Sequence, residues 1–239
     1  MKSKMTVGIT THADRCKWLR DMLNGLYHFT QMEFKVVIVD NFSEDNTLEY
    51  LGRLAQIKDI TVIKNSENVD DTKGMNQILS IVDTEYLLKI DTDTLFTKEG
   101  SVDSIFRQMQ QTDASLIGPL WDLSLHRRKE IVGWEHSFGM RSKFDLADKL
   151  VQRINPHFEV TLRLPRGNLM LMHVPSVKKV GCFDTRYLHN AMEYSLAMRL
   201  LDAGLDYEGF YDDSVIHRPL DDLRLKVRKV LPDLLREEF

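Results

Sequence analysis

Cysteine is nearly absent: of 239 residues only Cys16 and Cys182 carry a thiol. Two thiols cannot build a disulfide scaffold or a four-thiolate metal centre. Long apolar runs are missing as well, and nothing approaches the ~20 consecutive apolar residues that a membrane-spanning helix needs. Positive charge is not in excess, with 32 Lys and Arg against 36 Asp and Glu and a formal net charge of −4. No global basic field draws such a chain to nucleic acid or anionic lipid, although a local basic patch stays open. The opening stretch, MKSKMTVGITTHADR, holds lysines but only a short apolar segment, a poor signal peptide. A cytoplasmic chain in reducing surroundings is expected. No internal repeat or low-complexity segment stands out.

What is present is the composition of a folded domain. Hydrophobic residues make up 43% and charged residues 28%, and a chain of this length buries a large core without staples. The first half alternates regularly. Met5–Thr10 and Ile60–Ile63 read as strands, and Phe34–Val39 (FKVVIV) is apolar throughout, as a strand covered on both faces should be. Residues 15–27 place Trp18, Leu19, Met22, Leu23 and Leu26 at helical spacing. Asp45–Ala55 and Gly74–Val82 predict two more helices, and Tyr86–Ile90 a fourth strand. Short connections between alternating strands and helices imply right-handed βαβ units and a mostly parallel sheet. The second half is less regular. It predicts helices over Val102–Met109, Phe144–Ile154 and Met192–Leu201 (closed by Gly204), strands over Ala114–Ile117 and Leu169–His173, and a C-terminal amphipathic helix.

In parallel sheets of this kind ligands bind beyond the carboxyl ends of the strands. Three strands here end in polar residues: Thr10-Thr11-His12, Asp40-Asn41 and Asp91-Thr92-Asp93. Carboxylates at i and i+2 leave a strand on the same side. Such hard oxygen donors suit Mg²⁺ or Mn²⁺, with substrate phosphates completing the shell. Asp40, at the tip of an apolar strand, is placed to accept a hydrogen bond from a nucleobase, while Ser43 or Asp45 caps the following helix. Lys73, in the run Lys73-Gly74-Met75-Asn76, is placed either to balance phosphate charge or to sit solvated at a helix start.

These motifs, in this order, resemble the family 2 glycosyltransferases. The resemblance is carried by VVIVDNFSEDNT at 36–47, KGMN at 73–76, YLLKIDTD at 86–93, and RGNLMLMHVPSVKKVGCFDTRY with MEYSLAMRLLDAG across 166–204. It implies an α/β nucleotide-diphospho-sugar transferase (GT-A) fold with a mostly parallel central sheet flanked by helices. It also implies one catalytic domain over 1–218, with a nucleotide-binding half over 1–95, an acceptor half over 96–218 and a helical extension over 219–239. By resemblance, Thr10, Thr11 and Ala13 line the nucleotide and Asp40 binds the base, usually uracil. Lys73, Asn76 and Thr92 belong to the donor-binding set, and Asp91 sits near the ribose. Asp93 binds the Mn²⁺ or Mg²⁺ that holds the diphosphate, with His217 as a further metal ligand, and Gly167 and Asn168 floor the sugar site.

In this family an acidic pair ahead of an arginine-bearing helix supplies the catalytic base. Here Met192 takes the place of the usual Glu and Glu193 that of the usual Asp, counting back from Arg199, so one carboxylate remains as base. The implied reaction is transfer, with inversion, of a sugar from a nucleotide-diphospho-sugar (UDP-linked) to an acceptor hydroxyl. Two other readings stay open at this point: an inactive nucleotide- or sugar-binding module, favoured by Met192, and a nucleotidyltransferase, disfavoured because Thr10–Arg15 lacks glycine. The acceptor is open among a glycan, a lipid-linked sugar and a modified nucleic acid. Trp121, Trp134 and Phe138 could stack on rings, and the basic cluster at 126–129 could meet phosphate. The basic face of the C-terminal helix offers peripheral contact with a membrane or a partner.

Overall fold

A computed structural model of the chain describes residues 3–13, 15–122, 163–165, 167–187, 192–210 and 215–217. The elements follow the alternation expected from the sequence. They are β1 (Met5–Thr11), α1 (Cys16–Phe29), β2 (Lys35–Asp40), α2 (Thr47–Leu54), β3 (Ile60–Lys64), α3 (Asp71–Ile81) and β4 (Tyr86–Ile90). Next come β5 (Thr94–Phe96), α4 (Ser101–Gln110), β6 (Leu116–Asp122), β7 (Arg163–Pro165), β8 (Leu169–His173), α5 (Val174–Lys179), α6 (Met192–Asp202), β9 (Tyr207–Phe210) and β10 (Val215–His217).

The central sheet runs β3-β2-β1-β4-β8-β6-β7, with β9 also paired to β6. The β3-β2-β1-β4 stretch and the β6–β9 pair are parallel. β8 runs antiparallel to both β4 and β6. A small antiparallel pair, β5 with β10, stands apart. The α/β architecture with a largely parallel sheet is therefore as expected.

Period-2 alternation explains why the strands read as unbroken apolar runs. Val36 and Ile38 of β2 enter a core formed with α1, α2 and α4, while Val37 and Val39 enter a second core with α3, α5 and α6. β8 divides the same way, with Leu169 and Leu171 on one face and Met170 and Met172 on the other. In β4, Leu88 and Ile90 face the first core and Leu87 the second. The same alternation puts Lys89 on the α3/α6 side.

Two features of the topology place a site. Strand order reverses at β1, which opens a crevice beyond the carboxyl ends of β1 and β4. Because β8 is antiparallel to β4, with Ile90 opposite Leu169, the residues entering β8 lie at that same edge. The Asp91 amide donates to the Asn168 carbonyl at 2.9 Å, so the two segments meet despite their separation in sequence.

Several boundaries differ from the sequence reading. The strand expected over 114–117 is Leu116–Asp122, and the helix expected from Gly74 begins at Asp71. β5, β7, β10 and α5 were not expected; with three residues per strand and six in the helix they are too short to show a period. β9, at four residues, is another such case. Ser43 does not cap α2: its amide donates to Asp40 Oδ2 at 3.2 Å. Asp45 accepts from the Thr47 amide at 2.9 Å and from the Cys16 amide at 3.2 Å, joining the starts of α2 and α1. The expected helices over 144–154 and 219–239, the cluster at 126–129, Trp134 and Phe138 lie outside the described residues, as does the side chain of Trp121. No helix among the described residues is long and apolar enough to cross a membrane.

α3 packs against β1 through Gly74. A Cβ there would lie 2.8 Å from Thr10 Cγ2 and 3.4 Å from Val39 Cγ1, and the threonine is stiff. Gly74→Ala is expected to lower stability by about 1–2 kcal/mol in urea unfolding, because overpacking outweighs the gain in helix propensity. An unchanged or higher midpoint would show that this contact is loose.

Candidate active site

The carboxyl edge of the sheet collects residues from five parts of the chain, and Lys89 ties most of them together. It is 2% exposed, and lysines are almost never buried to this extent unless paired. Its ammonium donates to Asp91 Oδ1 and to the Gly167 carbonyl at 2.7 Å, and lies 3.5 Å from Asp71 Oδ2. Asp71 in turn accepts from the Thr10 hydroxyl. One buried amine thus joins the tip of β4, the turn before β8 and the first turn of α3, and through Asp71 the end of β1. Burial pulls the Lys89 amine down, but Asp71 and Asp91, with a smaller contribution from Glu193, outweigh it and hold the pKa above the ordinary lysine value. A raised lysine pKa contributes stability that is fully present below the unfolded value of about 10.4 and fades only as pH rises through the folded one. Lys89 is therefore a fixed positive charge at neutral pH.

Glu193 reaches the same place from α6. It is buried, and its carboxyl group lies against Gly167: a Cβ on that glycine would stand 3.1 Å from Glu193 Cδ and 3.2 Å from Oε1. Glycine at 167 makes room for the carboxylate. Residues 180–187, ahead of α6, are held by hydrogen bonds from α3 and α6. Asn76 donates to the Phe183 carbonyl at 2.8 Å and accepts from its amide at 2.9 Å. Thr72 donates to the Tyr187 carbonyl at 2.7 Å, and Arg199 donates to the carbonyls of Val180 and Cys182, each at 2.6 Å. Asn76, expected among donor-binding residues, is thus engaged at both ends of its amide in fastening this loop. Met192 is buried in the core of α3, α5 and α6, its sulfur 3.3 Å from the Thr72 hydroxyl.

A second set of polar groups surrounds the tips of β1 and β2. Thr11 and Asp40 are register partners. Asp40 is wholly buried; Oδ2 accepts the Ser43 amide, while Oδ1 has no partner among the described residues. Thr11 Oγ1 and Ser43 Oγ are likewise buried and unpartnered. A desolvated carboxylate oxygen without a donor costs about 1–3 kcal/mol or more, so this locus is poised for a ligand that supplies N–H. Nearby, Asn41 donates to the Asp70 carbonyl at 3.2 Å and accepts from Asn65 at 2.8 Å. Its own carbonyl lies 2.7 Å from His12 Nδ1. Ala13 follows β1 in the left-handed region at φ +52°.

The other expected residues are distributed as follows. Thr92 and Asp93 are buried just beyond β4. Asn168 is buried, its Oδ1 without a partner among the described residues. Lys73 is exposed on the first turn of α3. His217 is opposite Thr94 in the β10–β5 pair, one residue past Asp93 in register. Among the described residues no three His, Cys, Asp or Glu side chains are grouped to hold a metal ion. Asp91 is engaged by Lys89, which leaves Asp93 as the hard oxygen donor at the strand end. One or two carboxylates suffice for Mg²⁺ or Mn²⁺ when phosphate and water complete the shell, so these residues fit such an ion. Sequence reasoning missed Lys89 and Asp71. The signal was there, in a lone charge inside an otherwise apolar strand, YLLKI.

Removing the ammonium while keeping side-chain length tests this arrangement. Lys89→Met is expected to lose about 3–5 kcal/mol of unfolding free energy at neutral pH, because buried carboxylates lose their counter-charge. A variant as stable as the wild type would show that Lys89 does not hold the edge together.

Comparison with known proteins bears on the family and the fold. Residues 6–164 match the model of "Glycosyl transferase family 2". No curated protein matches the chain by sequence. Among solved structures, a mannosyltransferase from Pyrobaculum calidifontis, in complex with GDP-Man and Mn²⁺, is similar with a TM-score of 0.68 at 15% identity, over 92% of this chain and 58% of its own. S. aureus TarS 1-349 in complex with UDP-GlcNAc is similar with a TM-score of 0.60 at 16% identity, over 89% and 57%. Glucosyl-3-phosphoglycerate synthase from Mycobacterium tuberculosis, in complex with Mn²⁺, UDP and phosphoglyceric acid, gives 0.61 at 14% identity, over 96% and 76%. The chain spans little more than half the length of the first two. With a family match across most of its length and the fold to go with it, the chain belongs to glycosyl transferase family 2.

Proposed function

We propose that this domain transfers a sugar, with inversion and with the help of a divalent ion, from a UDP-sugar to an acceptor hydroxyl. One observation carries the reading: Glu193 lies against Gly167, whose carbonyl holds Lys89, whose amine holds Asp91. A general base and the strand end of a nucleotide site are thereby joined by contact, although about a hundred residues separate them in sequence.

The hydrogen-bonding inventory around Asp40 supports uracil as the base. Oδ1 has no donor among the described residues, while Oδ2 already accepts the Ser43 amide. The imide N–H of uracil offers one donor between two carbonyl acceptors, and the hydroxyls of Thr11 and Ser43 are available to such acceptors. Guanine presents two adjacent donors and would need both carboxylate oxygens. The solved mannosyltransferase holds GDP-Man, whereas TarS and the phosphoglycerate synthase hold UDP-linked or UDP ligands. The Asp40 arrangement favours the second pattern for this chain.

In the proposed reaction Thr10, Thr11 and Ala13 line the nucleoside, and Asp91 and Thr92 bound the ribose side. Asn168 floors the sugar site, where its unpartnered Oδ1 can accept a sugar hydroxyl. A Mn²⁺ or Mg²⁺ ion held by Asp93, with His217 on the neighbouring strand, would supply neutralising charge for the departing diphosphate. Glu193 takes the proton of the acceptor hydroxyl as that oxygen attacks from the face opposite the diphosphate. The sugar passes through an oxocarbenium-like state. Lys89 keeps Asp91 and Gly167 in place and moves no proton. Exposed Lys73 meets the diphosphate only from the rim. The acceptor half begins beyond residue 95, and a peripheral membrane or partner contact through 219–239 belongs to the same proposal.

Nucleotide release from UDP-sugars, assayed with Mn²⁺, tests the roles. Glu193→Gln is expected to lower kcat about 10²- to 10⁴-fold while leaving the Kd for UDP within a few-fold. Asp93→Ala is expected to abolish metal-stimulated turnover. Full activity in Glu193→Gln would remove it as the base. UDP binding without turnover of any UDP-sugar, with or without candidate acceptors, would favour the inactive binding module that Met192 suggests.

A further inference from the structure

Phe42 occupies a position that suits a phenylalanine badly. Its φ is +63°, in the left-handed region that favours glycine, and its side chain is 44% exposed. Its neighbours force this backbone. The Asn41 amide donates to the Thr11 carbonyl at 2.8 Å, the Asn65 amide to the Asp40 carbonyl at 2.9 Å, and the Ser43 amide closes onto Asp40 Oδ2 at 3.2 Å. With residues 40, 41 and 43 fixed, the bend falls on residue 42. A glycine would take it without strain. An aromatic side chain there meets backbone strain and gains little burial, and strain of this kind clusters at ligand sites.

The other large exposed apolar side chains among the described residues have different settings. Trp18 carries the Arg15 guanidinium over its ring at 5.2 Å. Ile81 ends α3, whose antiparallel course relative to the strands puts that end at the opposite edge of the sheet. Phe42 alone of the three lies in the turn that also holds Asp40 Oδ1, a buried carboxylate oxygen without a donor among the described residues. The turn therefore offers both an acceptor for an N–H at a base edge and a flat apolar surface for a base face.

We infer that Phe42 is a nucleobase-binding residue of this chain, its ring stacking on the base whose edge Asp40 reads. The inference rests on the proposed nucleotide site and adds a contact to it. Stacking is tolerant of base identity, so Phe42 contributes affinity and Asp40 contributes selectivity.

Calorimetric titration of UDP and of inorganic pyrophosphate, both with Mn²⁺, tests the assignment in wild type, Phe42→Gly, Phe42→Trp and Asp40→Ala. Phe42→Gly is expected to weaken UDP binding roughly 10- to 100-fold, the range of base–aromatic stacking, and to leave pyrophosphate binding unchanged. Its Tm should equal or exceed that of the wild type, since the left-handed bend is relieved, which separates loss of stacking from loss of fold. Phe42→Trp should retain UDP affinity. Wild-type UDP affinity in Phe42→Gly, alongside loss in Asp40→Ala, would overturn the role of Phe42 and leave the nucleotide site standing. Equal weakening of UDP and pyrophosphate would also overturn it, as an effect on the phosphates and not on the base. A wild-type protein that binds no UDP would overturn both readings.

Discussion

A single buried ammonium holds the working edge of this domain together. Lys89 lies in an apolar strand, on the face where packing alone would call for leucine or valine. It is tolerated there because Asp91, the Gly167 carbonyl and Asp71 surround it. Each of these partners belongs to a different element. The amine therefore fixes the tip of β4, the entry to β8 and the start of α3 relative to one another. Glu193 rests on Gly167 and so inherits its position from the same group. A buried charge set is weak evidence for stability as such, and isosteric apolar residues often do better. Here its effect is geometric: three segments remote in sequence are brought to one edge and kept there.

Sheet topology prepares that edge. The order β3-β2-β1-β4 creates the crevice by reversing at β1, and the antiparallel β8 returns the chain to the same end. The mixed sheet is thus a means of adding Gly167, Asn168 and Glu193 to the parallel half of the sheet. The structural likenesses at 14–16% identity fit this view. A fold survives such divergence when its two apolar cores keep their alternation, and here β2 and β4 still divide their residues between them.

Much of this was legible in the sequence, for physical reasons. β2 and β4 announced themselves because strands covered on both faces are apolar throughout, and Asp40 and Asp91 were visible as the points where those runs stop. Helices α1 and α6 were visible through their period. Short elements were not: α5 has six residues and β5 three, less than the two turns or several alternations a pattern requires. The partner of Asn76 is not legible because a motif position says nothing about hydrogen-bond partners, and its amide meets Phe183, more than a hundred residues away. Lys89 is hard to single out because one charge leaves the apolar run of the strand, YLLKI, recognisable. Phe42 was hidden for a different reason, since backbone strain is a property of the folded turn.

The central claim is that a nucleotide sits beyond the ends of β1, β2 and β4, on the edge that Lys89 organises. Hydrogen–deuterium exchange of the wild-type chain, with and without UDP and Mn²⁺, addresses it most directly. The account predicts slowed exchange in peptides covering 10–13, 40–43 and 91–94, with little change in α4 and in the carboxyl-terminal half of α3. Protection confined to other segments, or none under saturating UDP, would contradict it.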